Sequence, residues 1–317
     1  MNFKAHKGWV SAVRFLGAVG PGGGGGAAAG LFGGCRLLSS ANDSVVKLWD
    51  ASKQHGGSPR LLCTVDDLHR TRKGIFSMDS HGTRVATGSK DTTVALGSLR
   101  PTGLERDRVL GDPNGCAGFH EKVVKGVSLR DENMVASCGD DSNVRVSDLR
   151  SRYNFGVSHS LEGAHDGAPS HTVRWHPLNE NLLLTAGLDS TVRLHDLRRP
   201  GAAPLHVFRG HCPYSLARPR AIHRPEFLLT AGAVAGGGAG SSGGGRVNII
   251  TCGERSEKLS MYDAGTGATV SRGVLGDEAS ALAVGVSGWS NAPSPGAVSI
   301  AAALPGGSVV LLEPVWE

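Results

Sequence analysis

The chain has 317 residues, enough for one large or two ordinary domains unless it is built from repeats. A hydrophobic share of 39% supplies a core and argues against wholesale disorder, and 47 glycines without a Gly-X-Y period exclude a collagen-like rod. The formal net charge of +5 is mildly basic, but lysine and arginine never form a block, so the pattern reads as a solvated surface and direct nucleic-acid binding is not expected.

The first ten residues lack the apolar stretch of a signal peptide, and no apolar run approaches the ~18 residues of a membrane span, so a membrane is not expected among the partners. His6 precedes a short alternating run, VSAVRF, and a glycine-rich tract follows at about 17–34. Leu37–Asp50 then reads LLSSANDSVVKLWD, an apolar strand, a tight turn around an aspartate and an alternating strand. His69 precedes GIFSMDS and the same pattern returns as VATGSKDTTVALGSL (Val85–Leu99). His120 leads to VVKGVSL and VASCGDDSNVRVSDL (Val135–Leu149), and His165 leads to HTVRWHP and LLTAGLDSTVRLHDL (Leu183–Leu197).

Arg209-Gly210-His211 opens a fifth, degenerate unit containing a second glycine-rich tract at about 233–245, then RVNIITC and KLSMYD ending at Tyr262-Asp263. A sixth runs through ALAVGV, VSIAAAL and SVVLLEP. Both tracts fall between the first and second strands of a unit, cannot bury enough apolar surface to order themselves and are expected to be flexible insertions; without a following Gly-Lys-Ser/Thr they are no phosphate cradle.

The first four units share a register. The turn aspartates are Asp43, Asp91, Asp141 and Asp189, and four residues before each stands a hydroxyl: Ser39, Thr87, Ser137 and Thr185. The histidines His6, His69, His120, His165 and His211 are 63, 51, 45 and 46 residues apart, the first interval lengthened by the glycine tract. Six cysteines (Cys35, Cys63, Cys116, Cys138, Cys212 and Cys252) form no C-x-x-C pair, and several lie in expected strands as small hydrophobes; a reduced compartment, cytoplasm or nucleus or both, is the expectation.

A period in the mid-forties, four strands per unit and a Gly-His to Trp-Asp frame resemble the WD40-repeat (transducin-like) family, with Leu48-Trp49-Asp50 the best match. The resemblance covers nearly the whole chain. It implies an all-β propeller of four-stranded antiparallel blades, forming a single domain over 1–317, with six recognisable repeats and six or seven blades. Asn2-Phe3-Lys4-Ala5-His6 would be the outer strand that closes the last blade.

The family frame also implies roles for residues. His6, Ser39, Asp43 and Trp49 would form a structural hydrogen-bond network, repeated by Thr87 and Asp91, by His120, Ser137 and Asp141, and by His165, Thr185 and Asp189. The indole is replaced by Gly97, Ser147 and His195 in the next three units, where loss of that donor would weaken the network by about 1 kcal/mol. A serine, a histidine and an aspartate also match a hydrolase triad, but no nucleophile elbow accompanies them, and no catalytic role is expected. His171 and His176, like His206 and His211, are five residues apart and face opposite sides of a strand, so neither a metal nor any other cofactor is implied.

Two partner sites follow from the resemblance. Positions that grip peptides on the top rim correspond to Trp9, Ser11 and Asn42, to Phe76 and Lys90, to Val123, Lys125 and Asp140, and to His171 and Leu188; aromatics beside cations suit an acidic or aromatic-bearing peptide. Asp148 with Arg150, and Asp196 with Arg198, match the aspartate and arginine of a Trp-Asp-x-Arg ending that docks cullin-4 ubiquitin-ligase adaptors, although the tryptophan is absent. The reading is a non-enzymatic scaffold for other proteins or peptides, with a cullin-4 ligase substrate receptor as the alternative.

Overall fold

The computed structural model describes residues 5–16, 36–51, 59–111, 119–151, 153–199, 201, 203–211, 224–230, 246–253, 256–275, 281–286, 298–303 and 309–312. Both glycine tracts and Asn2–Lys4 of the expected closing strand lie outside these residues. Among the described residues the chain is all-β with no α-helix, in five four-stranded sheets and one three-stranded sheet. It divides into two compact units, Met1–Leu183 with Leu197–Ala202, and Leu184–Asp196 with Ala203–Glu317.

The first unit contains three complete sheets. The first runs in order β1 (Val10–Leu16), β2 (Arg36–Ala41), β3 (Val46–Asp50) and β4 (Arg60–Val65). The second is β5 (Ile75–His81), β6 (Arg84–Ser89), β7 (Val94–Arg100) and β8 (Gly103–Leu110), and the third is β9 (Val124–Leu129), β10 (Met134–Gly139), β11 (Val144–Asp148) and β12 (Val157–Leu161). The fourth sheet has the order β13 (Ser170–Trp175), β14 (Leu182–Gly187), β15 (Val192–Asp196) and β16 (His206–Phe208). In the second unit follow β17 (Glu226–Thr230), β18 (Arg246–Gly253), β19 (Ser256–Asp263) and β20 (Thr269–Val274), then the three strands β21 (Ala281–Val286), β22 (Val298–Ala303) and β23 (Val309–Leu312).

The core is a series of slabs between neighbouring sheets. Along β6, Val85 packs toward the first sheet with Leu38, Leu48 and Met78, while Ala86 packs toward the third with Val124, Val127 and Val135. Along β10, Val135 joins that slab and Ala136 and Cys138 join the next, with Val173 and Trp175. A strand buried on both faces needs small or apolar residues at every position, which is why all six residues of β10 (Met134–Gly139) are buried. In the second unit Leu228, Ile250 and Cys252 pack with Ile300 and Ala302.

Side chains stitch the slabs of the first unit. Asp79 on β5 accepts from Arg14 Nε of β1 at 3.1 Å and from the Leu129 N–H of β9 at 2.8 Å. Trp175 donates its indole N–H to the Ser128 carbonyl at 3.1 Å, and the Arg130 guanidinium lies 5.4 Å over its ring.

The turn aspartates sit in three-residue hairpin loops. The residue after each aspartate takes a left-handed conformation: Ser44 (φ 69°), Thr92 (φ 69°), Ser142 (φ 69°) and Ser190 (φ 61°). Its N–H returns to the carbonyl three residues back, as Ser44 does to Ala41 at 3.2 Å, the geometry of a type I turn followed by a bulge residue. Glycine is the usual occupant of such a position. Here the hydroxyl does a job that glycine cannot: Ser44 Oγ accepts from Gly74 N–H at 3.0 Å, and Ser142 Oγ donates to the Gly167 carbonyl at 2.6 Å, fastening the loop that enters the next sheet.

Candidate functional site

In the first sheet, His6 is buried between the hairpin and the strand. Its Nδ1 lies 3.1 Å from Asp43 Oδ2, its Nε2 lies 2.7 Å from Ser39 Oγ, and the Trp49 indole donates to that oxygen at 2.8 Å. One proton arrangement satisfies every group: Trp49 N–H donates to Ser39, Ser39 O–H donates to Nε2, and Nδ1–H donates to Asp43. That arrangement requires a neutral imidazole. Burial lowers the His6 pKa and outweighs the opposing pull of Asp43.

The second and third sheets repeat the geometry. His69 meets Asp91 at 3.1 Å and Thr87 at 2.8 Å, and His120 meets Asp141 at 2.9 Å and Ser137 at 2.8 Å. Each aspartate accepts two backbone N–H groups as well, from the residue after the histidine (Lys7, Arg70, Glu121) and from the residue two beyond itself (Val45, Thr93, Asn143). Burial pushes the carboxyls of Asp43, Asp91 and Asp141 upward, but these hydrogen bonds and the histidines outweigh it and hold all three below the ordinary carboxylate range. Thr93 Oγ1 adds a bond to Asp91 at 2.7 Å and Thr191 adds one to Asp189 at 2.8 Å, contacts that the Asp-x-hydroxyl spacing carries in the sequence. Asp189 also pairs with Arg193 at 2.9 Å, and His165 is fully buried.

The indole position is filled in three different ways in the units that lack the tryptophan. At His195 the contact is kept: its Nε2 lies 3.0 Å from Thr185 Oγ1, so an imidazole nitrogen stands where the indole nitrogen stands in the first sheet. At Gly97 a Cβ would approach the Glu105 carbonyl to 2.7 Å and Leu104 Cδ1 to 3.0 Å, so the outer strand has closed over the space. Ser147 is completely buried and its hydroxyl finds no partner among the described residues. The pairing of the outer strand shifts register at this same position in four sheets, at Leu48/Trp49, Leu96/Gly97, Val146/Ser147 and Met261/Tyr262. This is a backbone signature of the repeat that sequence spacing does not contain. In the fifth unit the Tyr262 hydroxyl donates to the Arg209 carbonyl at 2.8 Å and lies 3.3 Å from His211 Nδ1.

Ser39 is 3% exposed, and its oxygen is engaged by both Trp49 and His6. A nucleophile needs an approach path for its substrate, and this buried hydroxyl has none. Among the described residues no group of His, Cys, Asp and Glu could hold a metal ion.

The rim residues of the first unit form a different environment. Trp9 is 51% exposed and meets half-buried Phe76 edge to face at 5.4 Å between centroids. Lys125 Nζ lies over the Phe76 ring, 4.1 Å from its centroid, and 3.7 Å from Asp140. Lys90 is exposed beside this group, its N–H on the carbonyls of Lys73 and Gly74. Asn42 presses its side chain on Gly74, and its N–H bonds to the Trp9 carbonyl at 3.0 Å; the Val123 carbonyl accepts from Asp140 in the same way at 2.9 Å. Ser11 departs from the expectation: it is buried, with its hydroxyl 2.9 Å from Ser40 Oγ, because β1 turns that residue toward the sheet. His171 and Leu188 are half-buried.

Arg150 grips Asp148, with Nη2 at 2.7 Å and Nε at 2.9 Å, and holds that carboxyl down at about 2. The pair is at the surface, the Arg150 side chain 70% exposed. Asp196 is half-buried and Arg198 exposed.

No protein-family model matches the chain. Over 148 residues it is 34% identical to the WD-40 repeat-containing protein MSI4 of Arabidopsis thaliana, covering 43% of this chain and 28% of that protein. It is 28% identical over 127 residues to the histone acetyltransferase type B subunit 2 of Eremothecium gossypii, covering 39% and 27%, and 24% identical over 210 residues to a ribosome biogenesis protein WDR12 homolog of Anopheles gambiae, covering 62% and 46%. The chain spans less than half the length of these curated relatives. Among solved structures, a chain of a mitotic checkpoint complex superposes with a TM-score of 0.60 at 14% identity over 99% of this chain and 83% of that one, a likeness of fold alone.

Proposed function

We propose that the chain, whose blades are those of a WD40-type β-propeller, works as a non-enzymatic scaffold holding protein partners within a multiprotein complex. The observation that carries this reading is the division of labour in the first unit. The reactive-looking histidines, hydroxyls and aspartates are buried and satisfied within hairpins, while the exposed chemistry is an aromatic and cationic rim around Trp9, Phe76 and Lys125. An aromatic anchor beside fixed charges is the anatomy of a binding surface. The similarity to a protein named as an acetyltransferase subunit supports a place in an assembly. The working compartment in this reading is the nucleus or the cytoplasm.

Affinity purification of the tagged chain from its own cells, with mass spectrometry of what accompanies it, tests the proposal. A reproducible set of proteins that shrinks in a Trp9→Ala/Phe76→Ala variant of unchanged fold supports the reading. Recovery of the chain alone overturns it. A second reading, a substrate receptor docking a cullin-4 adaptor, draws on the exposed Arg150 side chain. It requires the adaptor in the wild-type set and its loss from an Arg150→Ala/Arg198→Ala variant.

A further inference from the structure

We propose that the rim of the first unit binds an acidic peptide segment carrying an apolar anchor residue, a proposal that rests on the scaffold reading and specifies its partner's chemistry. The floor of the surface is preassembled. Phe76 contacts both the Trp9 ring, T-shaped at 5.4 Å, and the Lys125 ammonium at 4.1 Å, and Lys125 is steadied by Asp140 at 3.7 Å. Trp9 therefore offers half of its surface without having to be ordered first, which lowers the cost of using it as an anchor.

Charge selects the partner. At this end of the first two sheets Lys7, Arg70, Arg72, Lys73 and Lys90 are exposed, against two exposed acids, Asp66 and Asp67. None of the five cations makes an ion pair among the described residues, and the other two aspartates at this end, Asp43 and Asp91, are taken up by His6 and His69. The backbone ties the cations to the aromatic floor: the Lys90 N–H bonds to the Lys73 and Gly74 carbonyls next to β5, and Trp9 is two residues from Lys7. A basic segment would meet uncompensated like charge here, which costs affinity and slows encounter. A nucleic-acid strand is the poorer fit, because it needs a row of cations with successive stacking platforms, whereas these cations stand on separate loops around one aromatic pair.

The test uses the full chain and a fluorescein-labelled peptide alternating glutamate with leucine, read by anisotropy, with a lysine–leucine peptide and an oligodeoxythymidine as competitors. The expected result is binding of the glutamate peptide that weakens as salt rises, falls about tenfold or more in a Lys7→Glu/Lys73→Glu/Lys90→Glu variant, and also falls in Trp9→Ala. These side chains are exposed, and unchanged thermal unfolding of both variants checks that the fold survives. Absence of binding, equal binding by the charge-reversal variant, or tighter binding of either competitor overturns the proposal. The cellular purification separates this outcome from the scaffold reading: if the partner set survives charge reversal the acidic-peptide proposal falls and the scaffold stands, and if wild type recovers no set the scaffold itself falls.

Discussion

Ser137 pairs with Arg145 and Ser147 with Val135, two register positions apart in the third sheet, and only one of the two serines has a use for its hydroxyl. Ser137 Oγ serves His120 at 2.8 Å, whereas Ser147 Oγ is buried without a partner among the described residues. Removing one member of a satisfied buried pair strands the other, but removing an orphan hydroxyl strands nothing. Ser137→Ala is therefore expected to destabilise by about 1–3 kcal/mol and Ser147→Ala to be neutral or slightly stabilising. Urea unfolding of the two variants beside wild type checks this, and equal losses would show that Ser147 has a hidden partner. The same networks set the response to acid. The folded pKa of His6 lies below its ordinary 6.5, so the unfolded chain takes up that proton first, and stability falls as pH drops through and below that value. The carboxyls of Asp43, Asp91 and Asp141 lie below their ordinary 3.8, so their contribution is present above that value and is lost as pH falls through the folded pKa values. Thermal melts between neutral pH and about pH 3 should show both declines, and a transition temperature that rises on acidification would contradict the neutral, buried assignment of His6.

Between elements, Asp79 is a polar stitch of the first unit that joins β5 to both β1 and β9. Asp79→Ala leaves the Leu129 N–H without its acceptor and Arg14 without its counter-ion, and is expected to cost about 2 kcal/mol; Arg14→Ala, which spares the Leu129 bond, should cost less than half of that. Denaturant midpoints for the two variants decide the order, and the reverse ranking would place the stitch in the ion pair and not in the backbone bond. Asp79 also marks where reading the sequence stops. The strands, the turn aspartates and the hydroxyls four residues before them are legible because hairpin chemistry and two-residue alternation are local properties of the chain. Asp79 looks there like an ordinary polar residue on an exposed face, since its partners are 65 and 50 residues away. The His195 substitution for an indole is hidden for a related reason: the sequence reports the loss of a tryptophan, and only geometry shows a ring nitrogen back in hydrogen-bonding contact, 3.0 Å from Thr185 Oγ1. Ser11 was expected at the rim and lies instead on Ser40, because a one-residue difference along a strand exchanges faces.

Across the molecule, burial is distributed unevenly among strands that look alike in the sequence. All six residues of β10 are buried, in slabs shared with sheets on either side, while all six of β20 are exposed and Val270 and Val274 remain 50% and 74% accessible. Opening a strand costs free energy in proportion to the apolar contacts it surrenders, so native-state opening should be rare at β10 and frequent at β20 even though both are hydrogen-bonded into antiparallel sheets. Amide hydrogen exchange should therefore protect Val135–Cys138 by several orders of magnitude more than Ser271–Gly273, with the central strands β2 and β6, buried along most of their length, closer to β10 than to β20. The comparison also tests what the outer strand is for. Slow exchange at β20 would mean that its exposed face is covered in solution, whereas fast exchange there together with a protected β10 would show that the repeat draws its stability from the stacked inner strands and leaves the outer strand of the fifth sheet as a lightly held edge.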